Sequence, residues 1–167
     1  MPAIRIPTII STTFCVLLFP ALATAEALPE IASPEVIARG KLISQIGGCN
    51  DCHTEGYAEA AGDVPEEIWL SGSPIGHHGP WGTSYASNLR LIAARMSEDE
   101  WVPYLATLQA LPPMPWFNVR LLPESDMRAL HAFIRSLGAP GEAMPDALPP
   151  GVVPSTPYIV DAPPVLP

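Results

Sequence analysis

Five consecutive residues, Cys49-Asn50-Asp51-Cys52-His53, are the point from which the rest of this sequence can be interpreted. Two thiols at this spacing can add to the two vinyl groups on one edge of a porphyrin, and a histidine directly after the second cysteine can then reach the iron. C-x-x-C-H is the attachment signature of a c-type haem. We therefore predict one haem c, bound covalently through Cys49 and Cys52, with His53 as the proximal iron ligand.

The cysteine pair also admits two other kinds of site. A thiol–disulfide oxidoreductase uses a C-x-x-C pair, but it does not need His53, and no βαβ pattern surrounds the motif. A zinc site would need further ligands at suitable spacing. The one remaining cysteine, Cys15, lies in an apolar N-terminal run. The haem interpretation is the one that accounts for the spacing of all three motif residues.

The first 25 residues have the composition of a secretory signal peptide. Arg5 precedes an apolar run over 9–22, and Ala23-Thr24-Ala25 is an A-x-A cleavage site. An uncleaved N-terminal anchor is the alternative. Because thioether attachment of haem takes place outside the bacterial cytoplasm, the leader and the motif support each other. We expect a periplasmic protein with no transmembrane anchor in its mature chain.

The charge of the chain restricts its partners. The formal net charge is −9 at pH 7. Such an acidic surface argues against binding to nucleic acid or to an anionic membrane. It is compatible with docking on a basic patch of a redox protein, although the same charge would also serve solubility alone.

A helix is predicted immediately before the motif. Ser33 is a good N-cap, Pro34 suits the first helical position, and Gly47-Gly48 should end the helix. Gly40 lies in its interior, where glycine costs about 1 kcal/mol relative to alanine, so we expect another helix to approach closely there. A helix with an internal glycine followed by C-x-x-C-H resembles the opening of a class I c-type cytochrome.

That resemblance implies a mostly α, single-domain fold in which the first helix crosses the last one beside the haem. The last helix is predicted from about Pro123 to Leu137, and Phe133 resembles the aromatic residue that packs on the first-helix glycine in this family. The expected organisation is a signal peptide over 1–25 and a cytochrome c domain over 26–138.

A Pro-rich extension follows over 139–167. Nine prolines fall in these 29 residues. This composition is typical of a polyproline-like segment and not of a second domain. The extension is interpreted either as a flexible strap or as a partner-docking tail, with Tyr158-Ile159-Val160 as a possible anchor on the globular domain.

Residues 79–88, Gly-Pro-Trp-Gly-Thr-Ser-Tyr-Ala-Ser-Asn, resemble a segment of the cytochrome subunits of bacterial alcohol and aldehyde dehydrogenases. In those subunits the segment runs beside the haem. The resemblance therefore implies that Trp81, Tyr85 and Asn88 meet the haem edge or its propionates. Arg90 is a candidate propionate partner because a guanidinium pairs well with a carboxylate. The alternative is that the aromatic residues belong to the core and Arg90 is a surface charge.

The adjacent His77 and His78 leave three interpretations open. They are surface residues of a Gly-rich loop, or one of them is the sixth iron ligand, or they help to bind another metal.

The second predicted iron ligand is Met114, in the stretch Leu111-Pro112-Pro113-Met114-Pro115. A thioether is a soft, neutral ligand, and His/Met ligation raises the reduction potential of a c-type haem. Met114 follows His53 by 61 residues, and this separation and the Met-Pro step resemble class I cytochromes. Met96 and Met127 compete for the role, but Met96 precedes a predicted helix cap and Met127 lies on the apolar face of the last helix.

These observations predict a one-electron carrier and not an enzyme, since two filled axial positions leave no open site for a substrate. The expected partners are redox proteins, with a dehydrogenase as donor and an oxidase or another cytochrome as acceptor. Two alternatives stay open. One is an electron-accepting subunit held in a dehydrogenase complex, and the other is a haem protein with an open distal side that acts on peroxide or binds gas.

Overall fold

The structure is a computed structural model that describes residues 32–139 and 141–161. The predicted signal peptide, 1–25, lies outside the described residues. The described part is mostly helical, as the sequence predicts, and none of its helices has the length and apolarity that a membrane span requires. Its elements are α1 (Pro34–Ile46), α2 (Cys49–His53), a 3-10 turn (Glu66–Ile68), β1 (Gly76–Gly79), β2 (Gly82–Tyr85), α3 (Leu89–Ala94), α4 (Glu98–Ala106), α5 (Trp116–Val119), α6 (Glu124–Ser136) and β3 (Tyr158–Val160).

The first and last helices cross at Gly40, which confirms the prediction made from that glycine. A Cβ atom built on Gly40 would lie 2.0 Å from the carbonyl oxygen of Ala129 and 2.7 Å from Cβ of Phe133, both on α6. No side chain fits between the two backbones, so glycine is the residue that permits this approach. Ser33 caps α1 by accepting a hydrogen bond from the backbone N–H of Val36 at 3.4 Å.

The hydrophobic core lies between α6 and the elements that it crosses. One face of α6 is buried and contains Met127, Leu130, Phe133 and Ile134. Trp69 meets the ring of Phe133 edge to face, with 6.4 Å between ring centroids. This packing fixes α1 and, through it, the motif helix that follows.

A three-stranded sheet is the part of the fold that the sequence does not predict. Strands β1 and β2 form an antiparallel hairpin in which Gly79 pairs with Gly82 across the turn residues Pro80 and Trp81. The sequence predicts a Gly-rich loop here, since strands of only four residues without apolar alternation leave no recognisable pattern. Pairing with a third, distant strand completes the sheet.

That third strand belongs to the Pro-rich C-terminal extension. Tyr158–Val160 forms β3 and pairs with β1 in parallel, so the sheet order is β2-β1-β3. The predicted anchor at Tyr158-Ile159-Val160 is confirmed. Residues 141–161, called the C-terminal strap below, lie against the helical domain through this strand and through the contacts of Leu148 with Thr83.

Candidate cofactor site

The C-x-x-C-H motif folds into the short helix α2. Gly48 joins it to α1 with a φ of +67°, a left-handed conformation that favours glycine. Cys49 and Cys52 are three residues apart on a helix, so their side chains project from the same face. Both thiols are free. The helix therefore presents two thiols together and places His53 directly after them.

Asn50, one of the two residues between the cysteines, is fully buried and binds α2 to its neighbours. Its side-chain carbonyl accepts a hydrogen bond from Thr54 Oγ1 at 2.8 Å, and the same Oγ1 accepts one from the backbone N–H of Leu70 at 2.8 Å. The Asn50 amide donates to Ser44 Oγ on α1 at 3.5 Å. A buried polar network of this kind orients its members rigidly when every group is paired. Sequence reasoning missed this role of Asn50.

His53 is held from two sides. Its Nδ1–H donates to the backbone carbonyl of Ser87 at 2.7 Å, and its own carbonyl accepts from the backbone N–H of Gly72 at 2.8 Å. Burial lowers the pKa of the imidazole, so the neutral ring is favoured. A hydrogen bond at one ring nitrogen fixes the tautomer and leaves the other nitrogen, Nε2, with the lone pair that a metal ligand needs.

Cys52 and His53 line a cleft of about 280 Å³ that also contains Met114 and Tyr85. The cleft brings together residues that are 61 positions apart in the chain. Its other walls are largely apolar and include Leu89, Leu108, Ala110, Leu111, Pro113 and Ala147. An apolar cleft with a few converging polar or ligating groups is typical of a cofactor site.

The loop that carries Met114 is tied down at both ends. Before it, Ser84 Oγ on β2 donates to the carbonyl of Pro112 at 2.5 Å. After it, the backbone N–H of Trp116 donates to the carbonyl of Met114 at 2.9 Å, and the guanidinium of Arg120 lies 4.4 Å from the ring centroid of Trp116. The Met114 side chain is thus presented to the cleft by a braced loop.

Neither thiol has the lowered pKa that favours thiol–disulfide exchange. Burial raises the pKa of Cys49 to about 11. The pKa of Cys52 is also raised, mainly by burial and then by the charges of Asp51 and Asp161. Thiol oxidoreductases need a lowered pKa because the thiolate is their nucleophile.

Among the described residues, no group of three or more His, Cys, Asp or Glu side chains is arranged to hold a metal ion.

Comparison with known families agrees with this geometry. A family model described as cytochrome c matches residues 37–138, a range that contains every site residue predicted from the sequence. The chain belongs to the cytochrome c family. No curated protein and no solved structure matches the chain significantly. Membership of the cytochrome c family implies a haem-based electron carrier with covalently bound haem c and with redox proteins as partners.

The residues of the cleft fit that cofactor. Cys52 and Met114 line it directly, and His53 offers a neutral imidazole whose tautomer Ser87 fixes. Imidazole and thioether are ligands that haem iron accepts, and free cysteines at the C-x-x-C spacing are what thioether attachment requires. Cys49 lies outside the set of residues that line the cleft; it is partly buried and packs against the hydrophobic core.

The structure brings only part of the predicted 79–90 segment to the cleft. Tyr85 lines it, and its hydroxyl also pairs with Thr156 Oγ1 of the strap at 2.8 Å. Trp81 lies at the hairpin turn against Gly79, outside the cleft lining. Asn88 caps α3, since its side-chain oxygen accepts from the backbone N–H of Leu91 at 3.1 Å.

Arg90 has a structural position. It is buried, and its guanidinium donates to three backbone carbonyls, those of Trp69 at 2.6 Å, Glu66 at 3.0 Å and Leu137 at 3.0 Å. It is not among the residues that line the cleft. The alternative that Arg90 is an exposed surface charge is therefore wrong. Its guanidinium binds backbone oxygens and does not face the cleft.

The two adjacent histidines take different positions. His77 lines the cleft and pairs with Asp161 at 3.1 Å between Nδ1 and Oδ2. His78 Nδ1 instead meets Thr83 Oγ1 at 2.8 Å, and its ring packs against Tyr158. Neighbouring residues of a strand project to opposite faces, so the difference follows once β1 is known to be a strand. No sequence signal distinguished the two.

Proposed function

We propose that this protein is a periplasmic one-electron carrier that would hold one haem c through Cys49 and Cys52, with His53 and Met114 as the residues that would bind its iron. The observation that supports this best is that the cleft containing Cys52 and His53 also contains Met114. When bound, haem supplies an iron that cycles between the ferric and ferrous states.

Each protein ligand has a defined task in this proposal. Ser87 orients His53, and burial keeps its imidazole neutral. The sulfur of Met114 is neutral and soft, and it favours ferrous iron, which raises the reduction potential. The braced loop around Met114 keeps the sulfur in place during both redox states. With two protein ligands the site has no open position for a substrate, so the protein acts as a carrier and not as an enzyme.

The redox partners are proposed to present a basic surface. The net charge of the chain is −9. The pKa of the Cys52 thiol is raised mainly by burial and further by the carboxylates of Asp51 and Asp161, so acidic side chains lie near this side of the cleft. Complementary charge steers encounter and makes the association rate fall with ionic strength. A dehydrogenase as donor and an oxidase or another cytochrome as acceptor are the partner classes that suit a periplasmic carrier.

Visible spectroscopy of the exported holoprotein tests the ligands. We expect sharp low-spin bands and a weak long-wavelength sulfur-to-iron band in the wild type, and loss of that band in Met114→Ala. Met96→Ala is the matched control, because Met96 packs beside the core and outside the cleft lining. A spectrum that Met114→Ala leaves unchanged would refute the assignment. Loss of the low-spin spectrum in His77→Ala instead would identify His77 as the ligand.

The mass of the exported protein tests export and haem number together. The expected mass is that of residues 26–167 plus one haem, since Ala23-Thr24-Ala25 is the proposed cleavage site and C-x-x-C-H occurs once. A mass that includes residues 1–25 would show that the signal peptide is not cleaved. A mass without haem would contradict the cofactor assignment.

A further inference from the structure

The C-terminal strap contributes to the cofactor cleft although it lies beyond the family-matched residues 37–138. Pro145 and Ala147 of the strap line the cleft together with His53 and Met114. The described residues of the helical domain are thus not the whole site. Two attachments hold the strap in this position.

The first attachment lies directly after these two lining residues. Leu148 and Thr83 exchange two backbone hydrogen bonds, each of 2.9 Å, in an isolated antiparallel bridge. A Cβ atom on the neighbouring Gly82, whose φ is +101°, would lie 2.0 Å from the carbonyl oxygen of Leu148. The strap therefore presses backbone to backbone on β2, and it can do so only because residue 82 is a glycine.

The second attachment lies at the end of the strap. Strand β3 pairs with β1, and the backbone N–H of Asp161 donates to the carbonyl of His78 at 2.8 Å. The Asp161 carboxylate pairs with His77, which lines the cleft, and its charge is one of those that reach Cys52. The two attachments thus hold the strap at both edges of the β1–β2 hairpin.

We infer that the C-terminal strap is a wall of the haem site, which holds water and small ligands away from the cofactor through Pro145 and Ala147. This inference rests on the proposed function, since it takes the cleft to be the haem site. A more apolar surrounding disfavours the additional positive charge of ferric iron and raises the reduction potential. A small ligand such as imidazole would have to displace Met114 and could enter only while the strap is open, so its apparent affinity scales with the fraction of open molecules.

Imidazole titration of the ferric holoprotein tests this inference. The main variant ends the chain after Ala139, and the second is Gly82→Ala, which pushes the strap away at Leu148 without removing it. Gly151→Ala is the matched control. It carries the same left-handed strain at a φ of +85°, but a Cβ there would have nothing within 4 Å.

We expect imidazole to bind about tenfold or more tightly to the truncated protein and to Gly82→Ala, because either change raises the open fraction. Gly151→Ala should bind as the wild type does. The reduction potential should fall in the truncated protein and in Gly82→Ala, and it should stay unchanged in Gly151→Ala. If the truncated protein does not fold, Gly82→Ala decides the question alone.

Unchanged imidazole affinity and potential in the two strap variants would overturn the inference. This outcome is separate from a failure of the proposed ligands, which appears in the wild-type spectrum and in Met114→Ala before any imidazole is added. A fall in potential with covalent haem and the sulfur-to-iron band retained would be assigned to the strap.

Discussion

Replacing Gly40 by alanine should destabilise the protein, because α1 and α6 touch at this residue. Two opposing effects set the magnitude. Alanine is a better helix former than glycine by about 1 kcal/mol, so an unobstructed site would become more stable. Overpacking a tight contact costs typically about 1–3 kcal/mol and occasionally more.

The geometry indicates that overpacking wins at Gly40. The new Cβ would lie 2.0 Å from the carbonyl oxygen of Ala129 and 2.6 Å from the carbonyl carbon, and both atoms are backbone. The nearest side-chain atom is Cβ of Phe133 at 2.7 Å, which cannot swing away as the end of a flexible side chain would. The two helices must move apart, which weakens the packing between α1 and the buried face of α6. We expect a net loss of about 2 kcal/mol in the free energy of unfolding.

Urea unfolding of the holoprotein, followed by tryptophan fluorescence, measures this loss. Ala38→Gly on the exposed side of α1 is the control, and it should cost about 1 kcal/mol through helix propensity alone. The reasoning is refuted if Gly40→Ala is as stable as the wild type or more stable, since that sign would mean that α6 does not restrict residue 40.

Two further predictions concern buried and exposed charges. Arg90→Met should lower the free energy of unfolding by about 3 kcal/mol or more, because three backbone carbonyls lose their donor, whereas Arg95→Met on the exposed surface should change it by less than about 0.5 kcal/mol. Equal effects of the two substitutions in urea unfolding would contradict the structural role of Arg90. Arg39 lowers the pKa of Asp126 from its ordinary value of 3.8, so the ionised carboxylate stabilises the fold. Asp126→Asn should therefore be less stable than the wild type at pH 7. The difference should shrink as the pH falls from 3.8 through the lowered pKa of the folded state; a difference that does not shrink between pH 7 and pH 2 would count against the ion pair.

Local patterns predicted the helical frame well. The cap and Pro at Ser33-Pro34, the interior Gly40 and the last helix up to Leu137 all have the positions expected from the sequence. These signals are short in range, because a cap or a helical face involves residues at most a few positions apart. They suffice to place α1 and α6, and the glycine then indicates where the two cross.

The segment 76–90 shows where local patterns fail. Its strands are too short to display alternation, so the sequence predicts neither the hairpin nor the difference between His77 in the cleft and His78 outside it. Chemical affinity alone makes Arg90 a candidate propionate partner. In the structure its guanidinium donates to three backbone carbonyls, and such partners leave no trace in the sequence because every residue carries a backbone carbonyl.

The sequence alone predicted the class of cofactor from Cys49, Cys52 and His53, because covalent attachment of haem requires those residue types at that spacing. The cleft itself follows from tertiary structure. Only folding brings Met114 and the strap residue Ala147 to one cavity with His53. Chemistry that depends on residues adjacent in sequence can therefore be predicted from the sequence. A site built from distant segments of the chain depends on how those segments pack in the fold.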